Sequence, residues 1–129
     1  MFKIDEDGTT FKVNRGSSGS FSFSAITPQG EPYTFSAGDI IRFNITKANR
    51  TNSVLSSIDT VVEEDSNEVT ISLKSQDTKV GNPINKPTEY WYDIELNPVG
   101  GNAQMLLGYD EEGPKIFTLY PESVKEGEI

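Results

Sequence analysis

Apolar and polar residues alternate with a period of two along most of this chain, and that period belongs to strands with one buried and one wet face. Phe11 and Val13 alternate with Lys12 and Asn14, Phe21, Phe23 and Ala25 with Ser22 and Ser24, and Ile41, Phe43 and Ile45 with Arg42, Asn44 and Thr46. Val69, Ile71 and Leu73 repeat the pattern, as do Tyr90, Tyr92, Ile94 and Leu96 against Trp91, Asp93, Glu95 and Asn97. Turn-forming runs punctuate these segments: Arg15-Gly16-Ser17-Ser18-Gly19, Pro28-Gln29-Gly30, Ala37-Gly38-Asp39 and Asn97-Pro98-Val99-Gly100-Gly101-Asn102. No helical period persists for ten residues. The chain is therefore predicted to be all-β, an antiparallel sandwich of about seven to nine short strands.

Three segments are less regular. Val54 to Val62 spaces its apolar residues by three to four, which suits one helical turn, but its Ser, Thr and Val content favours an irregular strand. Tyr33-Thr34-Phe35 reads as an extended segment between two turns. Ala103 to Tyr109 and Lys115 to Tyr120 flank Asp110-Glu111-Glu112-Gly113-Pro114, and the three pieces together read as a hairpin with a long loop. At 129 residues the chain supports one domain, with a core expected over residues 9–121 and a charged, fraying tail over 122–129.

Composition narrows function more than fold. His and Cys are both absent, which removes His-assisted and thiol nucleophiles, zinc or copper sites built on imidazole or thiolate, and disulfides. The net charge of −9 opposes association with nucleic acid or anionic lipid, so neither is expected as a partner. No run approaches the roughly 20 apolar residues of a membrane span. The start, Met1-Phe2-Lys3-Ile4-Asp5-Glu6-Asp7, does not read as a signal peptide. A non-catalytic protein without a cofactor is the expectation.

Candidate sites each carry an ordinary structural explanation. The acidic runs Asp5-Glu6-Asp7-Gly8, Glu63-Glu64-Asp65 and Asp110-Glu111-Glu112-Gly113 lack the spacing of a calcium loop and read as solvated turns, so no metal site is expected. Asp93 and Glu95 stand roughly 7 Å apart on one strand face, a separation that permits carboxylate catalysis but that any polar strand face produces. Arg15-Gly16-Ser17 leads into no helix and reads as a turn, not a phosphate loop. The acceptor patterns at Asn44 and Asn49 have no physical meaning without secretion. Trp91, the single Trp, faces opposite to Tyr90 and Tyr92; if those two line the core, it stands on the outer face beside Asp93. Three explanations are open for it: cover by residues 103–120 or by the segment near Tyr33, stacking on a carbohydrate, or burial in a subunit contact.

Several phrases occur in a telling order: Phe11-Lys12-Val13-Asn14-Arg15-Gly16, Phe21-Ser22-Phe23, Gly30-Glu31-Pro32-Tyr33 and Gly38-Asp39-Ile40-Ile41-Arg42-Phe43-Asn44-Ile45-Thr46-Lys47. Val69-Thr70-Ile71-Ser72-Leu73 follows, then Asp77-Thr78 and Tyr90-Trp91-Tyr92-Asp93-Ile94-Glu95-Leu96. Together they resemble the Ig-like domain at the N-terminus of baseplate upper proteins from phages of Gram-positive bacteria. The resemblance covers most of residues 9–97; beyond it, Asp110 to Pro114 lengthens a connection that is short in the family. It implies an Ig-like sandwich serving as a virion or prophage structural module, assembled in the host cytoplasm, with no active site to transfer. Partners would be other phage structural proteins or further copies of the chain, with Trp91, Asp93, Tyr109 and Tyr120 as interface residues. The alternative is a carbohydrate-binding module that presents the same aromatic face to cell-wall glycan.

Overall fold

The computed structural model describes residues 2–6, 8–48, 50–81 and 84–122, with the backbone alone described at 50–53. The expected fraying tail falls on residues that, from 123 on, lie outside the described set, as do Asp7 of the first acidic run and Asn49. Among the described residues are nine strands and no α-helix. The strands are β1 (Phe2–Ile4), β2 (Phe11–Asn14), β3 (Gly19–Phe23), β4 (Ile40–Lys47), β5 (Arg50–Val61), β6 (Val69–Leu73), β7 (Thr88–Asn97), β8 (Gln104–Leu107) and β9 (Lys115–Tyr120). One 3-10 turn, Ser75–Thr78, follows β6.

The strands form two sheets. The larger runs β1-β2-β9-β7-β4-β5, with β8 also paired to β7, and the smaller is β3-β6. Alternation builds the core between them. Phe11, Val13, Ile41, Phe43, Ile45, Tyr92, Ile94, Leu96, Phe117 and Leu119 of the large sheet and Val69, Ile71 and Leu73 of the small one are all buried in one cluster. Phe43 is its aromatic centre, stacked on Tyr92 at 5.1 Å and set edge-on to Phe11, Phe21 and Phe117 at 5.8, 5.8 and 6.2 Å.

The all-β expectation holds, but three particulars differ from it. First, β2 and β9 run parallel, Phe11 opposite Phe117 and Val13 opposite Leu119, so the large sheet is mixed rather than antiparallel. Alternation reports which face is buried and is blind to strand direction. Second, β8 and β9 do not form a hairpin with each other. β7 is ten residues long, and one of its edges takes both strands in series: Thr88–Tyr92 pairs with β9, and Ile94–Leu96 pairs with β8 across a bulge. Third, the segment around Tyr33 contributes only isolated bridges, Ile26 with Pro32 and Phe35 with Ser66. The irregular segment from Val54 falls in strand β5, and its irregularity appears as register shifts opposite Ile45 to Lys47.

Two polar staples close the ends of the sandwich. At one end the buried Asp39 accepts hydrogen bonds from the backbone N–H of Ser36 at 2.9 Å and of Val99 at 3.0 Å, which ties the turn before β4 to the turn after β7. Gly38 beside it has φ +95°, and a Cβ there would stand 2.9 Å from Val99, so this position suits only glycine. At the other end the fully buried Thr78 hydroxyl accepts from the Gly16 N–H at 2.9 Å and donates to the Ser17 carbonyl at 2.8 Å. Arg15 reaches the Gly81 carbonyl at 2.9 Å and pairs with Glu122. The Arg-Gly and Asp-Thr phrases, 62 residues apart in the chain, thus meet in one structural lock.

Candidate functional site

Cross-strand partners share a face, so the outer face of the large sheet is written by its register. Trp91 stands between Thr46 of β4 and Ile116 of β9; Asp93 is opposite Asn44, and Glu95 is opposite Arg42. Next to this row the chain between β8 and β9 folds back, and a cleft of about 200 Å³ opens between them. Trp91, Asp93, Thr46, Met105, Tyr109 and Lys115 line it. Of the four residues expected at an interface, Trp91, Asp93 and Tyr109 are thus brought together. Tyr120 is not. It lies four residues beyond Ile116 on β9, opposite Asn14, roughly 13 Å away at ordinary strand rise.

Trp91 receives the cover expected from residues 103–120. The ring centroids of Trp91 and Tyr109 are 5.5 Å apart with planes inclined at 47°. The segment near Tyr33 takes no part, since Tyr33 packs on Phe35 at 5.1 Å. The cover is partial: Tyr109 is 59% exposed and Met105 61%. Gly108 makes the approach feasible, because a Cβ there would stand 2.3 Å from the Met105 sulfur and 3.2 Å from the Asp93 Cβ.

Below the rings lies a polar chain. Asn44 donates its Nδ2 to Asp93 Oδ1 at 2.8 Å and accepts from Ser57 Oγ at 2.8 Å, and the Thr46 hydroxyl donates to the Trp91 carbonyl at 3.3 Å. Asn44 and Thr46 are buried despite facing outward. Glu95 does not join Asp93, because Arg42 holds it at 3.6 Å together with Asp59 at 2.8 Å. Lys115, opposite Tyr92 on β9, has a buried side chain whose ammonium stands 3.1 and 3.2 Å from the Asp110 oxygens. The Glu112 N–H and then this ammonium hold the Asp110 carboxyl below the usual carboxylate range.

The acidic turns are thereby partly explained as construction. Asp110 anchors Lys115, Asp65 accepts from the Ala37 N–H at 2.9 Å, and Asp5 pairs with Lys12 at 3.1 Å. Among the described residues no three carboxylates converge as a metal cage would require. Sequence reasoning did not find Thr46, Met105 or Lys115 at the cleft. Met105 and Lys115 reach it because β8 and β9 share one edge of β7, and no local pattern encodes that sharing.

Burial raises the Asp93 carboxyl above the ordinary Asp range; Asn44 opposes the shift and the Glu95 charge adds to it. The folded state therefore holds this proton more tightly than the unfolded chain. Its stabilising effect is complete below the unfolded value and is lost as pH rises through the folded one, above which ionised Asp93 is a constant cost. Asp93→Asn keeps an acceptor for Asn44 and removes the charge. We expect its melting temperature at pH 7 to equal or exceed that of the parent, with the difference vanishing near pH 3; a clear loss at pH 7 would contradict this account.

The chain matches no known protein family, no curated protein and no solved structure.

Proposed function

We propose that this chain is a non-catalytic virion module of a phage or prophage, an Ig-like connector of tail or baseplate that assembles in the host cytoplasm and docks through the outer face of its large sheet. The observation that carries the reading is the unfinished cover on that face: Met105 and Tyr109 stand largely exposed beside Trp91, with exposed Val54 at the far end of the Trp91 row. Solvated faces of monomers do not usually gather large apolar side chains around a cleft, whereas interface cores do. The two-sheet arrangement, and the lock joining the Arg-Gly and Asp-Thr phrases, support the Ig-like assignment.

Co-expression with the products of adjoining genes, followed by size-exclusion chromatography with light scattering, tests the proposal. The expected result is a complex with a tail or baseplate protein, or an assembly of this chain with itself. The double variant Met105→Lys, Tyr109→Glu should disrupt either one while remaining folded, since both side chains are exposed. Metabolic neighbours and no complex would defeat it.

A further inference from the structure

We infer that the cleft beneath Trp91 and Tyr109 receives a basic side chain, arginine or lysine, from a different protein chain. This rests on the assembly reading and names the chemistry of its partner.

The lining is rich in electrons and poor in hydrogen-bond donors. Its donors are partly committed: the Thr46 hydroxyl bonds the Trp91 carbonyl, the Lys115 ammonium pairs with Asp110, which offsets its charge, and behind the lining Asn44 Nδ2 donates to Asp93 Oδ1. What remains for a guest is Asp93 Oδ2, the faces of two aromatic rings inclined at 47°, and the thioether of Met105, with ring-edge donors of Trp91 and Tyr109 at the rim. A pyranose presents hydroxyls that both donate and accept, and the few donors here meet only part of its demand. A guanidinium or ammonium only donates. It gains from the carboxylate and from ring faces together, and a planar guanidinium can stack on one ring while its edge meets the carboxylate.

Charge selects the source. At −9 overall, two copies of this chain repel, so a second copy is disfavoured and a basic surface on another protein is drawn in. Asp93 is half-buried, which strengthens its pull on a cation relative to an exposed carboxylate. A floor that costs the free protein stability is also what a site awaiting a counter-charge displays.

The single Trp gives a direct readout, because nitrogen-15 labelling yields one indole signal and it reports on the cleft. N-acetyl-argininamide is the probe, the uncharged isostere N-acetyl-citrullinamide is its control, and N-acetylglucosamine represents the glycan alternative. We expect a saturable indole shift with the arginine probe within about 100 mM, and at least about tenfold weaker response to the citrulline probe and in Asp93→Asn. Glu63→Gln, which changes net charge equally at a remote exposed position, should leave binding intact. Unchanged backbone amide spectra establish that each variant is folded. The inference falls if no saturable shift appears, if citrulline binds as well as arginine, if the sugar gives the stronger saturable response, or if Glu63→Gln weakens binding as much as Asp93→Asn. A complex in the co-expression experiment alongside any of these results would leave the assembly reading standing and remove this one alone.

Discussion

Phe43→Ala should lower unfolding free energy by about 3–5 kcal/mol, the range for deleting a large buried ring. Phe43 is wholly buried and touches Phe11, Phe21, Tyr92 and Phe117, so its removal leaves a void walled by four other rings on both sheets. Those rings cannot close the gap easily, because each is fixed from behind by its own strand. Against a total stability of about 5–15 kcal/mol for a domain, this brings the chain close to its unfolding threshold at 37 °C. Urea denaturation followed by far-ultraviolet circular dichroism measures it. Phe43→Leu keeps most of the volume and should cost about 1–2 kcal/mol. A loss below about 1.5 kcal/mol for Phe43→Ala would mean that the two sheets relax together and that the aromatic cluster is not their common anchor.

The second large effect concerns a charge. Asp39→Ala removes the acceptor for two backbone N–H groups, those of Ser36 and Val99, at a position that is 2% exposed. Losing two part-buried hydrogen bonds to a charged acceptor should cost about 2–4 kcal/mol in all. Asp39→Asn retains one acceptor and sets an amide against the other N–H, so its loss should be smaller. The same denaturation series decides the matter, and amide hydrogen exchange at Val99 adds a local signal: its protection should fall in Asp39→Ala even under conditions where the domain stays folded. Equal stabilities for all three proteins would show that water replaces the carboxylate without penalty.

How legible this was in the sequence depends on the range of the determining interaction. Phe11, Phe43 and Tyr92 announce themselves as core, since strand alternation is local and each sits on the apolar phase of its strand. Asp39 is visible only as part of an Ala-Gly-Asp turn, and its role as a staple exists because Val99, sixty residues on, comes to it. The candidate site divides in the same way. Trp91 and Asp93 share the outer face by parity on one strand, which the sequence displays directly. Met105 and Lys115 depend on two short strands filling one long edge in series, a matter of strand lengths and partners. Asn44 and Thr46 look like wet residues from their phase, and are buried because Asn44 is bonded between Ser57 and Asp93 of the two flanking strands and Thr46 sits in the cleft that Met105 of β8 and Tyr109 help to wall.

The parallel pairing of β2 with β9 also governs when the fold can come into being. The second strand of the large sheet lies beside the last, with Phe11 set against Phe117 across more than a hundred intervening residues. A ribosome releasing this polypeptide exposes β2 more than a hundred residues before β9, so this edge of β2 waits unpaired until the intervening chain has been made. Closing so distant a pair is entropically expensive, which places this chain among slow-forming topologies and makes the wait the moment of greatest risk for mispairing with neighbours.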